Sequence, residues 1–584
     1  MIVGIDLGTT NSLIAYYTED GAKIIPNRLG KNLTPSVVSV DEDENVYVGE
    51  TAKERGILYP ESSASVFKRD MGSNKKFNLG KKHFVKNGIE YEKDLEFSAQ
   101  ELSAFVLKAL KEDAEHYLGC TIDEAIISVP AYFNEERRRA TKLAGEMAGF
   151  KVERIISEPT AAAVAYGLYE KDQDEKFLVF DLGGGTLDVS ILEMIGDILE
   201  VHSVSGDNFL GGEDFTSVLM DMFFEDHPEI DRQQLDDKVF CHIKEKAEEC
   251  KRGIDDNGKN IMHCVINGNS IDYELNEKKY EAKCAKLFDR IKVPLKQSIN
   301  DAGIKISDLD KVVLIGGATK LGMIRKFVAK MFKIIPDCSI NPDEAVALGA
   351  AIQGAMKERN QAVKELILTD VCPFTLGTEV TITREDGSKE GGHYHPIIER
   401  NTVIPASRTD TFYTSYDNQK KLCVDVLQGE SRFAKNNLYL GEITVNVPPD
   451  KAGREGIDVT YTYDINSLLE VQVRILSTGE VKKKVFKNQS VDMTDEEIKE
   501  RFKELSFLKI HPRDQEENRF LIFKGERLYE ESLGIDRVLI ESHLREFESA
   551  LDSRNESLIK EARKKFMKFL IKYDAKDEEV WEKQ

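Results

Sequence analysis

Two hydrophobic periods divide the chain. Up to about residue 363, short apolar runs rich in β-branched and aromatic residues alternate with stretches of helical period, the pattern expected of an α/β unit. The helical period is plain after Asn134, a capping residue, where Ala140, Leu143, Ala144, Met147 and Ala148 are spaced as one apolar stripe. Another helix is expected to open at Asn341-Pro342-Asp343-Glu344, with a cap, a proline and acids at its positive end. Its inner face, with Ala345, Leu348, Gly349 and Ile352, is partly small, so a second backbone can approach it closely. Between about 371 and 487 the period shortens to two, as in Ile457/Val459/Tyr461/Tyr463 and Leu469/Val471/Val473/Ile475, with turns at Asp417-Asn418 and Thr478-Gly479. That predicts an antiparallel β domain. From Thr494 the helical period returns, with Thr494-Asp495-Glu496-Glu497 as a capping box ahead of Ile498, Phe502 and Leu505, and the tail is highly charged.

The segment joining the first two regions, Glu365-Leu366-Ile367-Leu368-Thr369-Asp370, does not read as a flexible linker, because such linkers are polar or rich in Gly and Pro. Two readings stay open. It is an ordinary buried strand, or a docking segment buried in one state and released in another.

Composition narrows the function classes. A chain of 584 residues, 41% hydrophobic and 32% charged, has material for roughly three or four globular cores. Its net charge of −23 argues against a nucleic-acid surface, which needs clustered Lys and Arg. The start carries no basic segment followed by a long apolar run, and no stretch reaches membrane-spanning length, so a cytoplasmic protein with no membrane partner is expected. The eight cysteines include no C-x-x-C pair, and reduced, structural thiols are expected.

The chemistry is concentrated in a repeat. Gly4-Ile5-Asp6-Leu7-Gly8-Thr9-Thr10-Asn11-Ser12 and Val179-Phe180-Asp181-Leu182-Gly183-Gly184-Gly185-Thr186-Leu187-Asp188 each run from an apolar strand through Asp-Leu-Gly into a turn of glycine and hydroxyl residues. Glycines let backbone N–H groups approach phosphate oxygens, threonines add donors, and the aspartate at the strand end suits Mg²⁺. One copy reads as a β-turn; two imply two halves facing one phosphate ligand. A third glycine turn, Leu314-Ile315-Gly316-Gly317-Ala318-Thr319, can pass beneath a nucleoside. Glu248, Lys251 and Arg252 share one helix face, either as a solvated ion-pair face or as a ribose acceptor beside a guanidinium that stacks on adenine. Gly253 to Asn260 nearly matches a phosphate-binding P-loop, but Asn260 replaces the required hydroxyl and a helix precedes it, so it reads as an Asp-Asn-Gly turn.

In order, IDLGTTNS from Ile5, VPAYFNEERRRAT from Val129, SEPTAAAVAYG from Ser157, FDLGGGTLDVS from Phe180 and FLGGEDF from Phe209 resemble the DnaK family, the seventy-kilodalton heat-shock chaperones, over nearly the whole chain. FKRDMGSN, GDNFLGGEDF, VALGAAIQ and LILTDVCPFTLG look most like its short HscC-type bacterial members. The resemblance implies a multidomain chain: an actin-like, duplicated two-lobed ATPase domain over 1–363, an apolar linker over 364–371, a β-sandwich substrate-binding domain over 372–490 and a short helical lid over 491–584. It implies ATP and ADP as ligands, Mg²⁺, and an ATP-dependent chaperone binding extended apolar segments of unfolded clients, helped by a J-domain co-chaperone and a nucleotide-exchange factor. The alternative is an exchange factor or a specialised regulatory homologue. A sugar kinase or an actin-like filament protein has no place for the β domain.

Residue by residue, the resemblance assigns Asp6, Asp181 and Glu158 to hydrated Mg²⁺, Lys68 to the attacking water, and Thr186 and Asp188 to positions beside it. Gly8, Thr9, Thr10, Asn11, Gly183, Gly184, Gly185, Gly211 and Gly212 match phosphate-side positions. Glu248, Lys251, Arg252, Asp255, Gly316, Gly317, Lys320 and Asp343 match the nucleoside side, where Lys320 replaces an arginine and Asp255 a serine. Pro130 and Arg138 match a proline switch and its arginine partner. Leu366, Ile367 and Leu368 match the switching linker, with Thr369 where an aliphatic residue is usual, and Arg154 and Asp370 match J-domain positions. Thr378, Val380, Phe412, Leu422 and Val424 match the peptide pocket, and Thr381 and Ser415 its arch.

Overall fold

The computed structural model describes residues 1–40, 46–86, 89–167, 174–196, 198–254, 258–266, 269–358, 367–383, 388–464, 468–486, 521–522, 525, 529, 534–553 and 556–581. Contacts divide the chain into two compact units. One comprises Met1–Lys171, Glu175–Glu193 and Val201–Leu366; the other comprises Asp172–Asp174, Met194–Glu200 and Ile367–Gln584.

The first unit repeats one sheet plan twice. Ile2–Asp6 runs parallel to Glu124–Val129, which runs parallel to Ile155–Ser157, while on its other side Ile2–Asp6 forms a hairpin with Asn11–Thr18, followed by Gly21–Ile25. In the second copy Glu175–Leu182 runs parallel to Lys311–Ile315 and neighbours Leu187–Ile195, which neighbours Ile198–Asp207. Parallel strands are covered on both faces, which explains why they read as continuous apolar runs. All nine residues of Leu187–Ile195 are buried, Asp188 and Glu193 among them. Each copy has its own core, one containing Val3, Ile5, Leu107 and Ile127, the other Phe180, Leu187, Phe215 and Leu314.

The predicted helix after Asn134 spans Glu135–Met147, and Asn134 Oδ1 accepts a hydrogen bond from the Arg137 amide at 3.1 Å. Its buried face differs from the expected stripe. Ala140, Ala144 and Ala148 are buried, but Leu143 is only half-buried and Met147 is 50% exposed. Gly145 is the cause. A Cβ there would lie 2.5 Å from Val152 Cγ2 and 2.7 Å from Ile127 Cδ1, so the helix rests on the sheet along Thr141, Ala144 and Gly145.

The helix expected from Asn341 begins later, at Ala345, and runs to Lys357. The Asn341 carbonyl accepts from the Glu344 and Ala345 amides at 2.9 and 3.2 Å, which makes 341–344 a turn ahead of the helix. The small face acts as expected. A Cβ on Gly349 would come within 1.7 Å of the Ala161 carbonyl oxygen, so only glycine allows the helix Glu158–Ala165 to cross there.

In the second unit two antiparallel sheets form the β domain. Their orders are Lys389–Ile398, Leu376–Thr383, Lys421–Gln428, Leu438–Asn446 and Ala406–Tyr413, Gly456–Tyr463, Leu469–Ile475, Val481–Phe486. The period-two residues Val459, Tyr461, Leu469, Val471 and Val473 are fully buried and share one core with Leu376, Val424, Val426 and Ile443 of the other sheet. Such facing of two half-apolar sheets is a β-sandwich. Tyr461 OH donates to the Gly377 carbonyl at 2.9 Å, linking the two.

Ile367–Leu368 also belongs to this unit, and pairs in parallel with Ile198 and Leu199. The Thr369 amide donates to the Leu199 carbonyl at 3.1 Å, and Thr369 is buried. Leu366 lies outside the described residues, as does the capping box at Thr494. The helices Gly534–Asp552 and Glu556–Trp581 pack through Ile540, Phe547, Leu551, Phe566 and Leu570, and this cluster includes Ile195 and Ile198. Lys560 pairs with Glu200 at 3.0 Å at its edge. The helical tail therefore covers the hairpin tip that carries the linker.

Candidate active site

The two hairpin turns meet tip to tip. A Cβ on Gly184 would lie 1.7 Å from Thr10 Oγ1, a distance no side chain tolerates. The first turn is held by Ser12 and Ser36: the Gly8 amide donates to Ser12 Oγ at 3.2 Å, and Ser36 Oγ donates to the Gly8 carbonyl at 2.7 Å. In the second turn all three glycine carbonyls are occupied. Gly183 accepts from the Gly212 amide and Gly184 from the Glu213 amide, both at 2.9 Å, and Gly185 accepts from Arg69 Nε at 2.9 Å. Successive amides backed in this way can line an anion-binding concavity.

Acids converge below the turns. Asp6 and Asp181 stand at or near the ends of their strands, Glu158 opens the helix Glu158–Ala165, and Lys68, only 3% exposed, donates to Glu158 Oε1 at 2.8 Å. Asp6 also accepts from Ser128 Oγ at 2.8 Å. Asp188 accepts from the Tyr132 amide at 2.9 Å, while its Oδ2 is buried with no hydrogen-bond partner among the described residues. Thr10 Oγ1 is in the same condition. Burial, then the Glu158 carboxylate, push Asp6 up to about 7. The same two causes push Asp188 up to about 7. Asp181 is raised well above its usual range by burial, then by Glu158, Asp188 and Asp6. Burial works against the Lys68 ammonium, but Glu158 and Asp6 outweigh it and its pKa rises. Acids that resist ionisation beside one cation mark negative charge that is not fully balanced. Such a donor set, hard oxygens in excess, fits a divalent cation.

The cluster opens into a cavity of about 300 Å³ lined by Asp6, Gly8, Thr9, Thr10, Asn11, Lys68, Glu158, Asp181, Gly183, Gly184, Thr186 and Gly212, and at its far end by Glu248, Lys251, Arg252, Gly316, Gly317, Lys320 and Asp343. Three predicted residues, Gly185, Gly211 and Asp188, stand behind the wall, and Asp255 lies outside the described residues. Lys251 turns inward: it is buried, donates to the Gly212 carbonyl and Thr216 Oγ1 at 2.8 Å each, and pairs with Glu248 at 2.5 Å. Arg252 is exposed at the rim. The solvated-face reading of this helix thus does not describe Lys251. Lys320 pairs with Asp343. Leu33, Ile254, Pro342 and Val346 also line the cavity, and none of them was assigned to the nucleotide site from the sequence. Gly253 to Asn260 is no P-loop, since the helix Asp237–Arg252 leads into it and Asn260 Nδ2 donates to the Cys250 carbonyl at 2.7 Å.

Behind Asp188, the turn after Pro130 is tied together. Tyr132 donates to Asp188, and Arg138, buried, donates to the Ala131 and Phe133 carbonyls at 3.1 and 3.2 Å. Arg154 is exposed.

In the second unit, Thr378 and Val380 lie on the strand beside Lys421–Gln428, which carries Leu422 and Val424, whereas Phe412 comes from the other sheet. Thr378 and Val424 are buried; Val380, Phe412 and Leu422 are half-buried. The His395 ring stands edge-on to Phe412 at 5.4 Å, and its Nε2 lies 2.8 Å from Asp410. Thr381 is exposed and Ser415 half-buried. None of the eight cysteines is in a disulfide. Among the described residues, Cys423, Asp425 and Glu442 form a group with ligand atoms close enough for a metal, on an outward face that no spacing motif indicated. No helix among the described residues is long and apolar enough to cross a membrane.

A family model described as Hsp70 protein matches residues 2–580. Proteins called Chaperone protein DnaK from Thermotoga petrophila, Thermotoga neapolitana and Thermotoga maritima are each 38% identical over 512 residues, covering 85% of this chain and 82% of theirs.

The acid cluster predicts an unusual pH dependence. A carboxyl whose folded pKa is raised to about 7 contributes stability that is fully present below its unfolded pKa and lost as pH rises through about 7. Without nucleotide or divalent cation, the thermal midpoint of the first unit should therefore fall between about pH 4 and 7 by this contribution. Asp6→Asn should flatten that fall and raise the midpoint at pH 8. Parallel melting curves for the two proteins would count against the cluster.

Proposed function

The chain belongs to the Hsp70 family, and on that premise, as an ATPase and ATP-dependent chaperone, we propose that it hydrolyses ATP in the cavity between the paired hairpins and uses the result to control peptide binding in the β-sandwich. The observation that carries the reading is the buried Lys68–Glu158 pair at 2.8 Å, flanked by Asp6 and Asp181, at the point where two glycine turns meet. The two-lobed duplication of the sheets supports an actin-like arrangement.

In this reading the Gly8–Asn11 and Gly183–Thr186 turns receive the phosphates through backbone amides and threonine hydroxyls. Asp6, Asp181 and Glu158 would hold Mg²⁺, which supplies neutralisation of phosphate charge when bound. Lys68 Nζ orients the attacking water and stabilises the charge that develops on the transferred phosphoryl group, which is where positioning and electrostatics do most of the catalysis. Thr186 and Asp188 fix the surroundings of that water, Asp188 from behind the wall. At the far end Gly316 and Gly317 give a flat floor, Glu248 accepts from ribose, and the Arg252 guanidinium, free of the inward packing that engages Lys251, stacks on the base. Lys320 reaches the same end as a paired point charge in place of a planar fork. An exchange-factor role is not favoured, because the relatives this chain matches are called chaperones.

Thr378, Val380, Leu422, Val424 and Phe412 form the apolar seat for a client side chain, with Thr381 and Ser415 as its arch. Pro130 and Arg138 relay nucleotide state, since Tyr132 between them bonds Asp188. The linker reports it, as Ile367 and Leu368 pair with a hairpin whose strand also carries Asp188. Clients, a J-domain protein engaging Arg154 and Asp370, and an exchange factor are the partners in this scheme, set in the cytoplasm.

Lys68→Ala should bind ATP and lose hydrolysis by roughly 100-fold or more, the usual cost of removing one charge-stabilising group. Undiminished single-turnover hydrolysis would refute the assignment of Lys68.

Leu368→Asp should keep basal turnover and lose its stimulation by peptide. In the parent chain the Thr369 amide, bonded to Leu199, should exchange its hydrogen slowly with ATP and faster with ADP, because a ligand shifts an equilibrium only by its differential affinity for the two states. Equal protection in both nucleotides would make the linker a passive tether.

A further inference from the structure

Arg69 follows Lys68 directly, yet it lines no part of the nucleotide cavity and no phosphate-binding motif includes it. Its guanidinium makes two bonds to the opposite half of the first unit. Nε donates to the Gly185 carbonyl at 2.9 Å, and Nη2 donates to Asp214 Oδ2 at 2.7 Å. Asp214 Oδ2 also accepts from the Gly211 amide at 2.8 Å, so the same oxygen caps the helix Gly212–Asp226 whose first amides hold Gly183 and Gly184. The side chains of Arg69 and Asp214 are only 18% and 23% exposed, which limits screening of the pair by solvent.

We propose that Arg69 is a positioning residue for hydrolysis: by holding Gly185 from behind, it keeps the glycine turn in the shape that presents Gly184 and Thr186 to the phosphates and fixes that turn's distance from Lys68. The proposal rests on the ATPase reading of this cavity. Two of the three glycine carbonyls are held by amides of the local helix, within the same half. The third is held from across the site. Lys68 and Arg69 are consecutive on the short helical turn Phe67–Asp70, which Phe67, 1% exposed, anchors in the core. One side chain of that turn reaches the acid cluster and the next reaches the glycine turn, so the water-orienting ammonium and the phosphate-receiving amides share one rigid support. The fork geometry matters, since a lysine can meet Asp214 as a point charge but cannot donate to Gly185 and Asp214 in the same plane.

Arg69→Lys and Arg69→Ala in the full chain, with Mg²⁺, test this through three readouts: the single-turnover rate constant for ATP, the equilibrium affinities for ATP and ADP, and the thermal midpoint. Both variants should lose at least about tenfold in rate, as small misplacements of reacting groups do. ADP affinity should be retained, and any preference for ATP over ADP should shrink. An unchanged rate in Arg69→Lys overturns the proposal, because a simple ion pair would then suffice. So does a fall in midpoint with the rate intact, which marks a purely structural bridge. Lys68→Ala is measured alongside. If it hydrolyses ATP normally, the reading of the cavity itself fails and this proposal with it; if it is inactive while Arg69→Lys is active, the role of Arg69 alone fails.

Discussion

Three buried carboxylates, Glu158, Asp181 and Asp188, and the half-buried Asp6 surround the ammonium of Lys68. This imbalance is the constraint to which the rest of the first unit answers. Charges in a low-dielectric interior are costly unless paired, and here Asp6, Asp181 and Asp188 respond by resisting ionisation. An assembly that holds such groups together must be rigid around them. The duplicated sheets supply that rigidity, each delivering one aspartate from a strand bonded on both sides. Glycine lets the supporting elements come close enough, at Gly349 against Ala161 and at Gly184 against Thr10. The cluster is poor for stability in isolation and well suited to a ligand bearing the missing positive charge.

Function and stability therefore pull in different directions in the first unit, whereas the second is built on apolar burial. The sandwich core of Val459, Tyr461, Val471 and Val473 contains the alternating residues that its strands require. Phe412, Leu422 and Val380 come part-way out of this core, as does Leu440, while Ile382, Leu438 and Val481 are exposed. The helical tail spends its apolar face on Ile195 and Ile198 as well as on itself. The hairpin tip, the linker strand and the tail thus form one packed group within that unit.

Much of this was legible from residue pattern. The two Asp-Leu-Gly hairpins were visible because glycine turns and strand ends are local signals, and the sandwich strands because period two with one buried face leaves little choice of register. What stayed hidden depends on contacts distant in sequence. Met147 falls in the helical stripe but is exposed, because Gly145 sets the contact with Val152 and Ile127. The helix after Asn341 starts late because that asparagine closes a turn first. Lys251 reads as a surface charge until Gly212 and Thr216 are placed beside it. Arg69 falls in the run FKRDMGSN, but nothing local shows what it binds, since its partners lie 116 and 145 residues away. The pairing of Ile367 with Ile198 joins segments that nothing local connects.

In the proposed function this acid cluster holds a cation together with nucleotide. The most direct test is ADP affinity measured with and without Mg²⁺ in the parent chain and in Asp181→Asn. The account predicts that Mg²⁺ tightens ADP binding strongly in the parent and much less in the variant, whose one lost charge removes part of the cation's seat. Equal tightening in both proteins, or none in the parent, would contradict it.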